Sequence, residues 1–337
     1  MVARRGAHGT GIEGQDHSMQ KVIFDTDPGV DDAMALLFLH RHPDIDLIGV
    51  TTVFGNAPIE TTTRNAQFLH REWDIAAPIA SGAGRAFHDG RADDHPASIV
   101  HGEDGLGNIG VPATVDLPLD PRPAFQYIID MVRAHPGEVT LVAVGRMTNI
   151  ALALQADPDI AGLVRQVVVM GGAFDVNGNV TPAAEANIYG DPEAADAVFT
   201  ASWKVTIFGL DVTMKTIMSS DYLAEMTTSG APGLQLLSDL SQHYIGFYRQ
   251  RVGLDGMALH DSCACIYLVA PELFEYRSGP VRVVCGGLAD GKTIQAPESG
   301  RRFEGSAWDG PPSQSVAIAV SPDKVLDILR ATLVGSH

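Results

Sequence analysis

Between an apolar run ending at Phe24 and an apolar stretch over 33–39, the chain places Asp25, Asp27, Asp31 and Asp32. Few architectures accept so many acids at such a junction. Lys21-Val22-Ile23-Phe24 has the length and composition of a buried strand. It stops at Asp25-Thr26-Asp27-Pro28-Gly29, where proline and glycine break regular structure. Residues 31–40 are apolar nearly all round, which predicts a helix buried on every side. A second strand is expected over 45–53. Strand, helix, strand is the βαβ unit of a parallel sheet, and ligands collect at the carboxyl ends of such strands. The aspartates fall at that end. Carboxylates this close repel, so either some hold protons or a cation lies among them. Hard oxygen donors of this kind suit Ca²⁺ or Mg²⁺. Asp31 and Asp32 also fall near a helix N-terminus, where the dipole favours negative charge. Taken alone, the turn is read equally well as caps and solvated acids.

The alternation continues down the chain. Helices are expected over 123–134, 148–155, 191–200, 234–251 and 262–269, and strands over 139–144, 164–170 and 205–210. Asp191-Pro192 supplies an N-cap followed by proline at the first helical position. The segment 280–320 reads as short strands and turns. No linker rich in Pro, Gly or Ser divides the chain, and no internal repeat is evident. The expectation is one α/β domain over 19–335, with a doubly wound, mostly parallel sheet. Residues 1–18 are rich in Gly, His and charge and lack the apolar core of a signal peptide, so a disordered extension is expected there.

Composition narrows the function. Net charge is −18, from 23 basic against 41 acidic residues, which argues against nucleic acid or an anionic membrane as the main partner. No apolar run reaches the roughly 18–20 residues of a membrane-spanning helix. The three cysteines, Cys263, Cys265 and Cys285, have no disulfide framework spacing. Cys263 and Cys265 read as small buried helix residues, and a reducing, cytoplasmic setting is expected.

Further motifs follow the acidic turn in order. They are Thr51-Thr52-Val53-Phe54-Gly55-Asn56, His101-Gly102-Glu103-Asp104-Gly105-Leu106-Gly107 and Val144-Gly145-Arg146-Met147-Thr148-Asn149. Beyond these lie Gly178-Asn179-Val180-Thr181-Pro182-Ala183-Ala184-Glu185-Ala186-Asn187 and His260-Asp261. With Asp-x-Asp-Pro-Gly-x-Asp-Asp at the front, the series resembles the nucleoside hydrolases of the inosine–uridine-preferring type. The likeness runs from Lys21 to Leu268. It departs at Arg146, where the family usually has proline, and at Ala186, where an aromatic often sits.

The resemblance implies calcium-dependent hydrolysis of the N-glycosidic bond of ribonucleosides, in a homodimer or homotetramer. It implies Ca²⁺ held by Asp27, Asp32, Asp261 and the carbonyl of Val144, with Asp25 as a supporting acid. It implies ribose bound by Asp31, Asn56, Asn179, Glu185 and Asn187. Cleavage builds positive charge on the ribose ring, and carboxylates and amide oxygens aimed at the sugar stabilise it. Asp27 is the expected base for the attacking water. His260 is the expected acid for the departing base, since an ordinary imidazole titrates near neutral pH. His101 is expected beside the base pocket. Tyr244 and Tyr248, one helical turn apart, either line that pocket or relay a proton. Against the family roles stand plainer ones: turn residues for Asn56 and Asn179, helix caps for Glu185 and Asn187, packing for the tyrosines. A phosphohydrolase of the haloacid-dehalogenase type also places Asp-x-Asp after its first strand. It leaves the later Gly-Asn and His-Asp motifs without a role. A binder of nucleoside or ribose that has lost its chemistry is the other alternative.

Overall fold

The computed structural model describes residues 19–88, 97–299 and 305–335, so the extension expected over 1–18 lies outside the described residues. In chain order the strands are β1 (Gln20–Thr26), β2 (Ile45–Thr52), β3 (Ile79–Ser81), β4 (Val139–Ala143), β5 (Gln166–Met170) and β6 (Val205–Phe208). They continue with β7 (Ile217–Ser219), β8 (Gly256–Ala258), β9 (Phe274–Val283), β10 (Thr293–Gln295) and β11 (Ser313–Val320). The main sheet has the order β10-β9-β11-β6-β5-β4-β1-β2-β3, and β7 pairs with β8 apart from it. From β3 across to β11 every neighbouring pair is parallel. Antiparallel pairing enters at the β9 edge. The expected doubly wound, mostly parallel α/β sheet is what forms.

Alternation along β1 explains the layering. Val22 and Phe24 join one apolar core, which includes Met34 and Leu37 of helix Val30–Arg41, Leu237 and Ile266. Ile23, between them, joins the opposite core with Ile128, Ile150 and Val198. Side chains of a strand point to alternate faces, so the sheet is covered on both sides. Helix Val30–Arg41 is buried from Val30 through Leu39, as its all-round apolar sequence requires.

Strand order places the ligand edge. The chain runs outward from β1 to β2 and β3, then returns to lay β4 on the other side of β1. The order therefore reverses between β1 and β4, and the crevice beyond their carboxyl ends is the expected binding position. Asp27 follows β1 there and Val144 follows β4.

Several boundaries differ from expectation for local reasons. The helix expected over 262–269 is His260–Tyr267, so His260 and Asp261 begin its first turn rather than precede it. The strand expected over 205–210 ends at Phe208, because Leu210–Thr213 winds into a short helix. The strand expected over 164–170 starts at Gln166, after Val164 N–H closes a turn onto the Ile160 carbonyl.

Candidate active site

Asp25 ends β1 as a strut. Its Oδ1 accepts from Thr51 Oγ1 at 2.6 Å and Asn149 Nδ2 at 2.8 Å, which ties β1 to β2 and to helix Thr148–Ala156. Burial pushes its carboxyl up to about 7. Asp27 sits in a slot made by two glycines. A Cβ on Gly55 would fall 1.9 Å from Asp27 Oδ2, and one on Gly145 would fall 2.4 Å from Oδ1. Oδ2 accepts the Asn56 N–H at 2.7 Å. Oδ1 is buried and has no hydrogen-bond partner among the described residues. Burial first, and the neighbouring Asp32 second, hold the Asp27 carboxyl well above its ordinary range. The Asn56 N–H and the Arg146 charge act the other way.

Asp31 and Asp32 lie in the first turn of helix Val30–Arg41. Asp32 Oδ1 accepts from Thr26 Oγ1 at 2.5 Å, and its Oδ2 from Gly29 N–H at 3.0 Å and Asn56 Nδ2 at 2.9 Å. Helix His260–Tyr267 packs on helix Val30–Arg41 and carries Asp261 to this pair. Asp31, Asp32 and Asp261 each bring a carboxylate oxygen within 4.8 Å of the other two. All three are buried and all three are raised in pKa, by burial before anything else.

This cluster differs in one member from the expected metal set. Asp31, expected on the ribose, sits with Asp32 and Asp261, whereas Asp27 lies outside that compact trio, held in its glycine slot. The Val144 carbonyl, expected to face the metal, accepts Asn187 Nδ2 at 2.7 Å. The donor set fits a hard divalent cation. Every side-chain ligand is an oxygen, the charge is concentrated and buried, and Asp27 Oδ1 is an orphaned acceptor beside it. Without a cation, carboxylates this buried must take up protons or lose stability.

Above this floor lies a cavity of about 540 Å³. Every residue expected to bind substrate lines it: Asp31, Asn56, His101, Asn179, Glu185, Asn187, Tyr244 and Tyr248. Val144, His260 and Asp261 line it too, while Asp27 and Asp32 sit behind. Not all of the lining groups are free to meet a ligand. Glu185 caps helix Ala186–Gly190, with Oε1 on Asn187 N–H at 3.0 Å and Oε2 on Gly172 N–H at 2.9 Å and Ile188 N–H at 3.2 Å. Asn179 Oδ1 accepts Ala186 N–H at 3.0 Å. Asn179 is thus the turn residue expected, while Glu185 caps this short helix and not the one expected near Asp191, which Asp191 itself caps.

The other wall is aromatic. His101 stacks on Tyr244, with centroids 5.4 Å apart, and Tyr248 stands edge-on to Tyr244 at 5.0 Å. His101 Nδ1 accepts the Val30 N–H at 3.3 Å. Burial lowers His101 to about 3, with the neighbouring His260 second. His260 is pinned at both nitrogens, Nε2 to the Tyr248 hydroxyl at 2.7 Å and Nδ1 to Thr213 Oγ1 at 2.8 Å. Tyr248 is joined to Tyr244, whose hydroxyl reaches Asp31 Oδ2 at 3.5 Å. Burial takes His260 down to about 4. An ordinary imidazole near neutral pH was expected; burial and the two hydrogen bonds set this ring apart from one in water.

Sequence reasoning missed Thr213, Met214, Phe247 and Arg251. Phe247 and Arg251 had a readable signal, because 244, 247, 248 and 251 share one face of helix Leu234–Arg251. Cys263 and Cys265 are free and buried, in keeping with the packing role expected of them.

An acid floor beneath a wall of amides and aromatic rings suits an enzyme that grips a sugar while a ring leaves it. Residues 22–327 match the family described as inosine-uridine preferring nucleoside hydrolase. The chain belongs to that family and is an enzyme that hydrolyses the N-glycosidic bond of ribonucleosides. It is 39% identical over 315 residues to a probable uridine nucleosidase 1 of Oryza sativa subsp. japonica, covering 93% of this chain and 96% of that protein. A solved plant nucleoside hydrolase superposes with a TM-score of 0.90 at 37% identity, covering 94% of this chain and 99% of the other. A purine-preferring ribonucleoside hydrolase from Gardnerella vaginalis superposes with a TM-score of 0.86 at 30% identity, covering 94% and 98%. The phosphohydrolase alternative has no such support.

Proposed function

We propose that the enzyme is a calcium-dependent ribonucleoside hydrolase that accepts uridine and related nucleosides and leans towards pyrimidines. The observation that carries the metal part is the buried trio Asp31, Asp32 and Asp261 beneath the cavity. Asp32 and Asp261 would hold the ion with the Val144 carbonyl and with Asp27 or Asp31. The ion would position the attacking water and lower its pKa. A relative 39% identical to this chain, named a probable uridine nucleosidase, supports the choice of uridine. The reading extends to a cytoplasmic homodimer or homotetramer serving nucleobase salvage. Three free cysteines suit a reducing compartment. Among the described residues no helix is long and apolar enough to cross a membrane.

The chain's own residues divide the work. Asp31 and Asn56, with Asn179, Glu185 and Asn187, orient the ribose. Asp27 takes the proton of the attacking water through Oδ1, its one unengaged oxygen. His101, Tyr244 and Tyr248 flank the base. His260 acts through the Tyr248 hydroxyl on its Nε2: that hydroxyl gives its proton to the leaving base and takes one from His260 in return, and the proton that Asp27 takes from the attacking water balances the loss.

The deciding experiment is a reducing-sugar assay over a panel of ribonucleosides, before and after exhaustive chelation. Uridine is expected to release ribose. Metal removal is expected to cost about 10²–10³-fold in kcat, the size of several kcal/mol of charge stabilisation, and added Ca²⁺ should restore it. Undiminished turnover after stripping would defeat the metal reading.

A second expectation concerns His260. His260→Ala should lower kcat for uridine by about 10²–10³-fold, within the usual worth of positioned acid catalysis, with little change in KM. A p-nitrophenyl riboside carries a leaving group that departs unprotonated and should be largely spared. Equal slowing of both substrates would assign His260 to orienting Asp261 or the sugar instead.

A further inference from the structure

Arg146 stands where the family turn usually carries proline, and three segments of the site meet at its side chain. It follows Val144 and Gly145 in the turn after β4 and is buried. Its guanidinium carbon lies 4.2 Å from the centre of the buried Phe54 ring. On its far side is Gly190, the last residue of helix Ala186–Gly190. A Cβ at position 190 would fall 2.1 Å from Arg146 Nε and 2.6 Å from Cδ, so any larger residue would evict the side chain. Arg146 is therefore wedged between the loop after β2 and the helix that carries Asn187.

Both neighbours lead to the reacting end. Phe54 is followed by Gly55, which leaves room for Asp27, and by Asn56. The Asn56 N–H holds Asp27 at 2.7 Å and its side-chain amide holds Asp32 at 2.9 Å. Asn187 Nδ2 donates to the Val144 carbonyl at 2.7 Å, in the turn from which Arg146 springs. We propose that Arg146 is a positioning residue: wedged between Phe54 and Gly190, it locks the Phe54-Gly55-Asn56 loop and the Asn187 helix to the β4 turn, so that Asn56 keeps Asp27 in register with the substrate. Proline would stiffen this turn through its own ring. Arg146 stiffens it through packing, with a planar cation on an aromatic face. A lysine cannot reproduce that face, because its charge is a point on a flexible stem.

The inference rests on the reading of Asp27 as the base. It is tested with kcat and KM for uridine and melting temperature in Arg146→Ala, Arg146→Lys, Phe54→Leu and the Phe54→Leu/Arg146→Ala double variant. Arg146→Ala is expected to lose about 10- to 100-fold in kcat, as small misplacements of reacting groups do, with KM within about threefold. Arg146→Lys should rescue little of the loss. Phe54→Leu should lose a similar factor, and the double variant should be no worse than Arg146→Ala, because both changes break one shared contact. Near-normal kcat with only a lower melting temperature would overturn the proposal. So would full rescue by lysine, or losses that multiply in the double variant. If Arg146→Ala fails to fold, Phe54→Leu and Arg146→Lys decide between the same outcomes. Failure of the wild type to release ribose from any ribonucleoside would instead overturn the function on which this inference rests.

Discussion

Asp27→Asn is expected to lower kcat for uridine by about 10⁴-fold, the upper end of what a single positioned base supplies, while the protein remains folded. The substitution is chosen for shape. An asparagine oxygen can still accept the Asn56 N–H, and the slot between Gly55 and Gly145 admits no larger group. What disappears is an acceptor able to take a proton from water. Asp27 Oδ1 is a buried carboxylate oxygen without a protein partner among the described residues, as is Oδ2 of the supporting Asp25. Asp27→Ala should be at least as severe, and a contribution of Asp27 to cation binding would deepen either loss. The measurement is single-turnover ribose release at saturating uridine, with a melting curve as the folding control. A folded Asp27→Asn protein keeping more than about 1% of wild-type kcat would assign the base elsewhere.

2′-Deoxyuridine is expected to react about 10⁴-fold more slowly than uridine in kcat/KM, because a site built to bond a hydroxyl leaves its own polar groups unpaired when that hydroxyl is missing. The bonds already present in the wall suggest where to test this discrimination. Both oxygens of Glu185 are engaged by backbone N–H groups, and the Asn187 amide is engaged by the Val144 carbonyl. Asp31 is different. It lines the cavity, where its Oδ2 meets the Tyr244 hydroxyl at a long 3.5 Å, and backbone N–H groups of its own helix turn also bear on it. Asp31 is therefore the group with most to gain from a ribose hydroxyl and most to lose without one. Asp31→Ala should narrow the preference for uridine over 2′-deoxyuridine as well as slowing both. Equal rates on the two nucleosides in the wild-type enzyme would remove the ribose assignment altogether.

Much of the fold was legible because its signals were local. Phe24 closes an apolar run and Asp25-Thr26-Asp27-Pro28-Gly29 breaks it, so β1 and the turn after it follow from adjacent residues. Helix Leu234–Arg251 was equally plain. Helix Ile59–Trp73 went unread: after Ile59 and Glu60 it runs through three consecutive threonines, which look like strand or loop, and no side chain caps it. Two of those threonines are spent on tertiary bonds. Thr62 Oγ1 donates to the Val53 carbonyl at 2.9 Å, and Thr63 Oγ1 pairs with Thr52 Oγ1 at 2.8 Å. The site was legible as a roster because its motifs recur in family order. Who touches whom was not. The grouping of Asp31 with Asp261 depends on the docking of two helices far apart in sequence. The lowered His260 depends on burial, which no run of adjacent residues encodes.

That docking also sets a schedule for synthesis. Asn56, His101, Asn179 and Asn187 all leave the ribosome before Asp261 has been added. A nascent chain can thus lay down strands β1 to β6 and most of the cavity wall while the third carboxylate of the floor is still missing. Long-range contacts of this kind form late, since the loop between them must close first. The three-carboxylate floor is complete only when helix His260–Tyr267 seats on helix Val30–Arg41, so the acid cluster is a late product of folding.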